Sequence, residues 1–291
     1  MAKYAVVQSS ALWVEKHRQL ISTTLREMVS GIEDVVWKRD ENSLRKEGAT
    51  EADSDGDEGN RKEGEDPLGG LEIDVLENSA RFRVNVGMQK TGFYLDQRAN
   101  RAFVRDMAKG KRVLDLCCYT GGFAVAAALG GAREVVGVDS SETAIEMAKQ
   151  NASLNDVTST VEFIVGDVTD FVRRSIKAQG SEEQGSFDMV ILDPPKLCPS
   201  VKFLKRALGK YRQMNAMAME MVKPGGMLIT CSCSGAVTQR GLFIDDVLKP
   251  AAAKAGREVQ VVQVGGASAD HLTSLSYPEG KYLTVVTAIL V

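Results

Sequence analysis

The sequence predicts an α/β protein, a parallel sheet with helices on both faces, preceded by a small α+β domain. Two observations carry that expectation. From Lys111 onward, short apolar runs alternate with amphipathic segments, the pattern of repeated βα units. The first of those runs, Arg112 to Phe123 (R-V-L-D-L-C-C-Y-T-G-G-F), closes on two glycines that open an alanine-rich segment. That layout is a buried strand, a tight turn and a helix start, and a glycine there lets the backbone approach a ligand that a Cβ would meet.

In the small domain, expected over residues 1–95, Tyr4–Ser9 reads as a strand. Trp13–Met28 has helical apolar spacing and stops at Gly31, and Ile32–Lys38 is a second strand. Residues 47–70 are rich in Gly, Asp and Glu with little to bury, so a disordered surface insert is expected. Leu71–Leu76 and Arg81–Val86 form a hairpin around Asn78-Ser79. An amphipathic helix follows Lys90–Arg98 and ends at Met107.

The second domain, expected over 96–291, alternates strands and helices. Strand Val113–Cys117 precedes helix Phe123–Leu129, and strand Glu134–Val138 precedes helix Glu142–Ser153, capped by Ser141. Strand Val161–Val165 leads to helix Thr169–Lys177, and strand Phe187–Leu192 to helix Phe203–Val222. Strand Met227–Cys231, a helix near Leu242–Ala255 and strands Val259–Val264 and Tyr282–Val291 complete the chain.

Composition narrows the class. The 291 residues suffice for one large or two modest domains. No apolar run reaches membrane-spanning length, and the first residues lack a signal-peptide layout. Five cysteines without a C-x-x-C pair argue against a disulfide framework or a zinc site and for a reducing compartment, the cytoplasm or an organelle such as a plastid or mitochondrion. The net charge of −3 hides an asymmetry: Glu47–Asp66 holds a local −7, which leaves +4 on the remainder. A phosphate-rich partner is therefore permitted.

The ligand is read from three acids on successive strands. Asp139 follows the second strand, some 20 residues beyond the glycine turn, where it suits a ribose with free hydroxyls. Asp115 lies inside the first strand, where it would repel a pyrophosphate but could hold a cationic amino acid moiety. Asp167, after the third strand, is placed for an adenine amino group. S-adenosylmethionine fits this set and a dinucleotide does not. Asp139 and Asp167 could alternatively cap the helices that follow them.

The fourth strand ends in Asp193-Pro194-Pro195-Lys196. Amino-group methyltransferases carry an aromatic after Asp/Asn-Pro-Pro to stack on the base; here Lys196 takes that place. The fifth ends in Cys231-Ser232-Cys233-Ser234-Gly235. Methylating pyrimidine C5 requires a thiolate to add at C6 first, and Cys233, past the strand end, is the nucleophile candidate. Asp193 would act at the N3/N4 edge of the base. Cys117, Cys118 and Cys198 read as core residues.

The motifs Lys90–Arg98 (K-T-G-F-Y-L-D-Q-R), Tyr119–Phe123, Leu192–Lys196, Ser232–Gly235, Asp270-His271 and Tyr277–Leu283 together resemble the ribosomal RNA large-subunit methyltransferase I family, which makes 5-methylcytosine. The resemblance implies a Rossmann-like class I methyltransferase domain, its seven-stranded sheet mostly parallel with the last strand antiparallel. It implies S-adenosylmethionine held by Tyr119, Thr120, Gly121, Gly122 and Phe123, by Asp139 with Ser140, Asp167 with Val168, Asp115 and Asp193, with Tyr94 and Gln97 nearby. Cys233 is then the nucleophile and Asp193 lies at the base. Lys90, Arg98, Lys196, Lys202 and His271 are candidate RNA contacts, His271 also for the C5 proton. Family members carry an N-terminal PUA RNA-binding domain, whereas this chain reads as starting partway into the central domain; Leu272 stands where the family has proline. The expected partner is ribosomal RNA, with a homodimer left open and no metal or membrane. Two alternatives remain at this point: an N-methyltransferase acting on a base or protein, and a silent RNA- or partner-binding remnant.

Overall fold

The structure is a computed structural model that describes residues 4–9, 11–40, 44–45, 47–48, 71–88, 92–179 and 185–291. Lys90 lies outside the described residues, as does the acidic stretch apart from Glu47 and Gly48. The chain divides into two compact units, Met1–Ile73 with Val84–Phe93, and Asp74–Arg83 with Tyr94–Val291.

In the first unit, β1 (Tyr4–Ser9) and β2 (Asp34–Arg39) pair in parallel, in register from Tyr4 opposite Asp34 to Ser9 opposite Arg39. Parallel pairing needs a crossover, which α1 (Leu12–Lys16) and α2 (Arg18–Met28) supply. The sequence predicts one helix here, and the structure breaks it at His17. The imidazole Nδ1 lies 2.7 Å from the Trp13 carbonyl oxygen, the acceptor a continuous helix would give to the His17 N–H, and that N–H turns to Val14 instead. Trp37 on β2 donates through Nε1 to Ser22 Oγ on α2 at 3.0 Å.

The hairpin of β3 (Glu72–Glu77) and β4 (Ala80–Asn85) turns at Asn78 and Ser79, whose φ values of 49° and 68° are the pair that a tight two-residue hairpin loop requires. Its tip belongs to the second unit. Arg83 N–H donates to Asn151 Oδ1 at 2.7 Å, and Arg101 on α3 (Arg98–Met107) grips Glu77 through Nε and Nη2, both at 2.7 Å.

The second unit is built on β5 (Arg112–Leu116), β6 (Glu134–Asp139), β7 (Val161–Val165), β8 (Phe187–Leu192), β9 (Val222–Ser232), β10 (Val259–Gly265) and β11 (Thr284–Leu290). Their order is β10-β11-β9-β8-β5-β6-β7, with β11 antiparallel to both neighbours, as expected for the class I fold. The chain builds outward from β5 to β7, returns, and continues from β8 to β9. The switch point therefore falls at the carboxyl ends of β5 and β8, where open sheets of this kind bind ligands.

Strand alternation gives each side of the sheet its own helices. Leu114, Leu116, Val136, Val138, Leu192 and Leu228 pack with α6 (Val168–Gln179), α7 (Leu204–Met221) and α8 (Lys249–Ala255) in one buried cluster. Residues of opposite parity, including Val113, Asp115, Val135 and Ile191, face the other way, toward α4 (Gly122–Leu129) and α5 (Glu142–Leu154). Two elements depart from expectation. The helix expected near 242–255 starts as a π-helix over Phe243–Leu248, because Pro250 has no N–H and its ring would strike the Asp246 carbonyl in a regular α turn. That carbonyl accepts from Arg212 Nε instead. β9 begins at Val222, five residues ahead of the expected strand. The carbonyls of Met219 and Val222, at the helix-to-strand transition, are taken by Arg257 Nη1 at 3.2 and 2.8 Å.

Candidate active site

The glycine turn is shaped by backbone strain. Cys117 and Tyr119 leave β5 with φ of 62° and 50°, and Gly121 follows at 78°. A Cβ on Gly121 would come within 2.9 Å of Phe163 and 3.0 Å of Ala148, so the turn tolerates only glycine there. Thr120 is buried, with its carbonyl accepting from Asn151 Nδ2 at 3.0 Å, and Phe123 is buried at the start of α4.

Asp115 points under this turn. It is fully buried; Oδ2 accepts the Ala124 N–H at 3.0 Å, and Oδ1 has no hydrogen-bond partner. Burial, then the neighbouring Asp193 and Asp139, push its carboxyl up to about 8. An orphaned buried oxygen calls for a donor, and a cationic ligand would supply one. Asp139, half-buried at the tip of β6, accepts the Tyr119 N–H on Oδ2 and the Ser141 N–H on Oδ1, both at 2.9 Å. Capping of α5 falls to Ser141, whose Oγ accepts from Ala144 N–H at 3.2 Å, so Asp139 is held toward the turn rather than spent on the helix. Asp167 does cap: its Oδ1 accepts the Asp170 N–H at 3.0 Å at the head of α6, where Val168 is the first helical residue. Ser140 is exposed in the turn after β6.

Asp193 stands at the tip of β8, its N–H donating to the Leu116 carbonyl at 3.3 Å and so joining the two strand ends at the switch point. Gln97 donates through Nε2 to Asp193 Oδ2 at 2.9 Å and to Cys231 Sγ at 3.5 Å. Its orientation is fixed from behind, because Asn100 Nδ2 donates to Gln97 Oε1 at 2.6 Å and to the Gly266 carbonyl at 3.1 Å. Tyr94, just ahead of the 3-10 turn Leu95–Gln97, stacks edge-on against Tyr119 with ring centroids 5.4 Å apart. Burial, then Tyr119, Asp193, Cys233 and Asp96, raise the Tyr94 hydroxyl well above its usual range. Burial, then Asp139, pushes Tyr119 up to about 12.

The two cysteines at the end of β9 have opposite surroundings. Cys231 is fully buried and its thiol is driven up, chiefly by burial. Ser232 and Ser234 are buried as well, and Ser234 Oγ accepts from the Cys198 N–H at 3.1 Å and meets the Tyr211 hydroxyl at 2.9 Å. Pinned on both sides, half-buried Cys233 is turned to the Asp193 loop, with Sγ 3.8 Å from the Pro194 carbonyl oxygen. Cys118 and Cys198 are buried and Cys117 is half-buried, its thiol driven up chiefly by burial.

Of the candidate RNA contacts, Arg98 pairs with Asp270 at 3.2 Å, both largely exposed. Lys196 and Lys202 are exposed on the segment between β8 and α7. His271 Nε2 lies 3.1 Å from the Tyr282 hydroxyl, which donates to Asp96 Oδ2. Asp96, Asn100 and Tyr282 escaped the sequence reading. Asp96 and Tyr282 lie in quoted motifs, but nothing in one sequence announces a contact across 186 positions.

Residues 60–259 match the S-adenosylmethionine-dependent methyltransferase family model. The chain is 37% identical over 291 residues to the ribosomal RNA large subunit methyltransferase I of Aeromonas hydrophila, covering 97% of this chain and 68% of that relative. The chain belongs to the ribosomal RNA large subunit methyltransferase I family. Its cofactor is S-adenosylmethionine, which fits the orphaned Asp115 oxygen, the Gly121 cradle and the acids on successive strands. The fold of this family member is similar to that of a SAM-dependent methyltransferase structure from Streptococcus mutans (TM-score 0.78, 21% identity, 99% of this chain and 69% of that one). A methyltransferase structure complexed with SAH, SMU.776, gives TM-score 0.76 at 20% identity, over 99% and 70% of the two chains. Among the described residues there is no cluster suited to a metal ion, and no helix is long and apolar enough to cross a membrane.

Proposed function

We propose that the chain methylates C5 of a cytosine in ribosomal RNA, with Cys233 as the nucleophile and Asp193 at the base edge. The observation that carries this reading is the place of Cys233, half-buried between two pinned serines with its sulfur beside the Asp193 loop. The names of the relatives supply ribosomal RNA as the substrate.

S-adenosylmethionine supplies an electrophilic methyl group on a sulfonium. The rest falls to residues of the chain. Asp193 accepts the N4 amino group of the cytosine, its carboxylate held in place by Gln97 and Asn100. The Cys233 thiolate forms a bond to C6, and the C5–C6 π electrons shift to make C5 nucleophilic. C5 takes the methyl as its bond to sulfur breaks. Loss of the C5 proton restores the double bond and expels the thiolate. Asp115, Asp139, Asp167, Tyr119 and the Gly121–Gly122 turn hold the donor, with Tyr94 and Gln97 alongside. Arg98, Lys196 and Lys202 are available for phosphates, and His271 for the RNA near the cleft.

The test is nucleoside mass spectrometry on an unmodified large-subunit ribosomal RNA transcript incubated with the protein and S-adenosylmethionine. The wild type yields 5-methylcytosine and Cys233→Ala yields none. An N-methylated nucleoside, or normal product from Cys233→Ala, overturns the reading.

A further inference from the structure

Expulsion of Cys233 needs a base for the C5 proton; His271, the candidate read from the sequence, is exposed and meets at 3.1 Å the Tyr282 hydroxyl, which itself donates to Asp96. We infer that Tyr282, backed by Asp96, accepts the C5 proton and so releases the nucleophile. The inference rests on the C5 reading above.

Three observations converge on this pair. Tyr282 is brought to the nucleophile's loop by β11: Thr284 pairs with Ser232, Thr238 Oγ1 donates to the Tyr282 carbonyl at 2.9 Å, and a Cβ at Gly235 would lie 3.8 Å from Tyr282 Cβ. Its hydroxyl already donates to Asp96 Oδ2, so a proton arriving at the phenol oxygen has an onward path. Asp96 is only 7% exposed, and its Oδ1 is buried without a hydrogen-bond partner. A carboxylate serving only as a structural acceptor would be expected to have both oxygens satisfied. This one is held in place by its backbone, whose carbonyl accepts from Ser268 N–H at 2.8 Å and Ser268 Oγ at 2.9 Å. Burial, then its hydrogen bond to Asp96, raise the Tyr282 hydroxyl, so it holds the proton that it passes on.

The step balances. The Tyr282 oxygen takes the hydrogen from C5 while its own proton passes to Asp96 Oδ2. The C5–H electron pair becomes the C5–C6 π bond, the C6–S bond breaks, and Cys233 leaves as a thiolate. Asp96 then returns its proton through Tyr282 to exposed His271, 3.1 Å away, and to solvent.

Tyr282→Phe removes the acceptor and keeps the ring. Incubated with methyl-labelled S-adenosylmethionine and the unmodified transcript, it should lose turnover by about 100-fold or more, the scale of general-base loss. It should also accumulate a protein–RNA adduct that survives denaturation and carries the label. Asp96→Asn should accumulate the same adduct, and Tyr282→Phe combined with Cys233→Ala should show none. Turnover of Tyr282→Phe within about threefold of wild type, or lost turnover without a labelled adduct while calorimetry shows the cofactor still bound, overturns the assignment. Those results leave the C5 reading standing if Cys233→Ala alone is inactive. An active Cys233→Ala removes that reading and this one with it.

Discussion

Cys231 and Cys233 lie two positions apart, and burial distinguishes them. The buried thiol of Cys231 resists ionisation, whereas Cys233 is half-buried beside the Asp193 loop. Cys231→Ala should therefore keep methylating, at a stability cost of about 1–2 kcal/mol for the small cavity. Cys233→Ala should lose methylation while calorimetry shows near-normal cofactor affinity. Asp115 makes a second prediction. Its folded pKa of about 8 lies above the ordinary 3.8, so the folded chain keeps a proton that the unfolded chain gives up. That stabilisation is complete below about pH 4 and is lost as pH rises through about 8. The urea midpoint of the ligand-free wild type should fall from pH 5 to 8.5 more steeply than that of Asp115→Asn, and added S-adenosylmethionine should flatten the wild-type curve. At this scale Cys233, Asp193 and Asp115 were picked out as candidates because strand ends and residue chemistry mark them. Asp96 and Tyr282 were not, since local pattern holds no information about a pairing across 186 positions.

Local rules explain most of the elements, and one glycine shows how tightly. Gly121 combines a φ of 78° with a Cβ position 2.9 Å from the Phe163 ring. Gly121→Ala should lower stability by about 1–3 kcal/mol and weaken cofactor binding more than that loss explains, checked by denaturant melts beside calorimetry. The Asn78-Ser79 hairpin turn and the Ser141 cap were both readable, because each depends on residues within three positions of each other. The π-helix at Phe243–Leu248 was not, because a helical period continues through it and only the carbonyl lost to Pro250 forces the wider turn. The break at His17 is equally hidden, since a side chain takes the carbonyl that the backbone would have used.

Across the whole second unit, long-range polar anchors hold what apolar periodicity cannot specify. The antiparallel sense of β11 came from family resemblance alone, since a strand's side chains alternate identically in either direction. Arg101 and Glu77 are nearly buried and paired at 2.7 Å, fastening the hairpin tip to α3. Glu77→Ala would strand the guanidinium, and a loss of about 3–5 kcal/mol in denaturant unfolding is expected. Glu77→Gln, which keeps one acceptor, should lose less.

The hydrogen bond from Asp193 to Leu116 stitches together two halves of one sheet to which the proposed function gives different duties. Strands β5 to β7 carry the acids proposed for the donor, and β8, β9 and β11 bring the groups proposed for the acceptor. Grafting the loops after β8 and β9 from a methyltransferase of other specificity would then exchange the molecule being modified while the donor half stayed as it is.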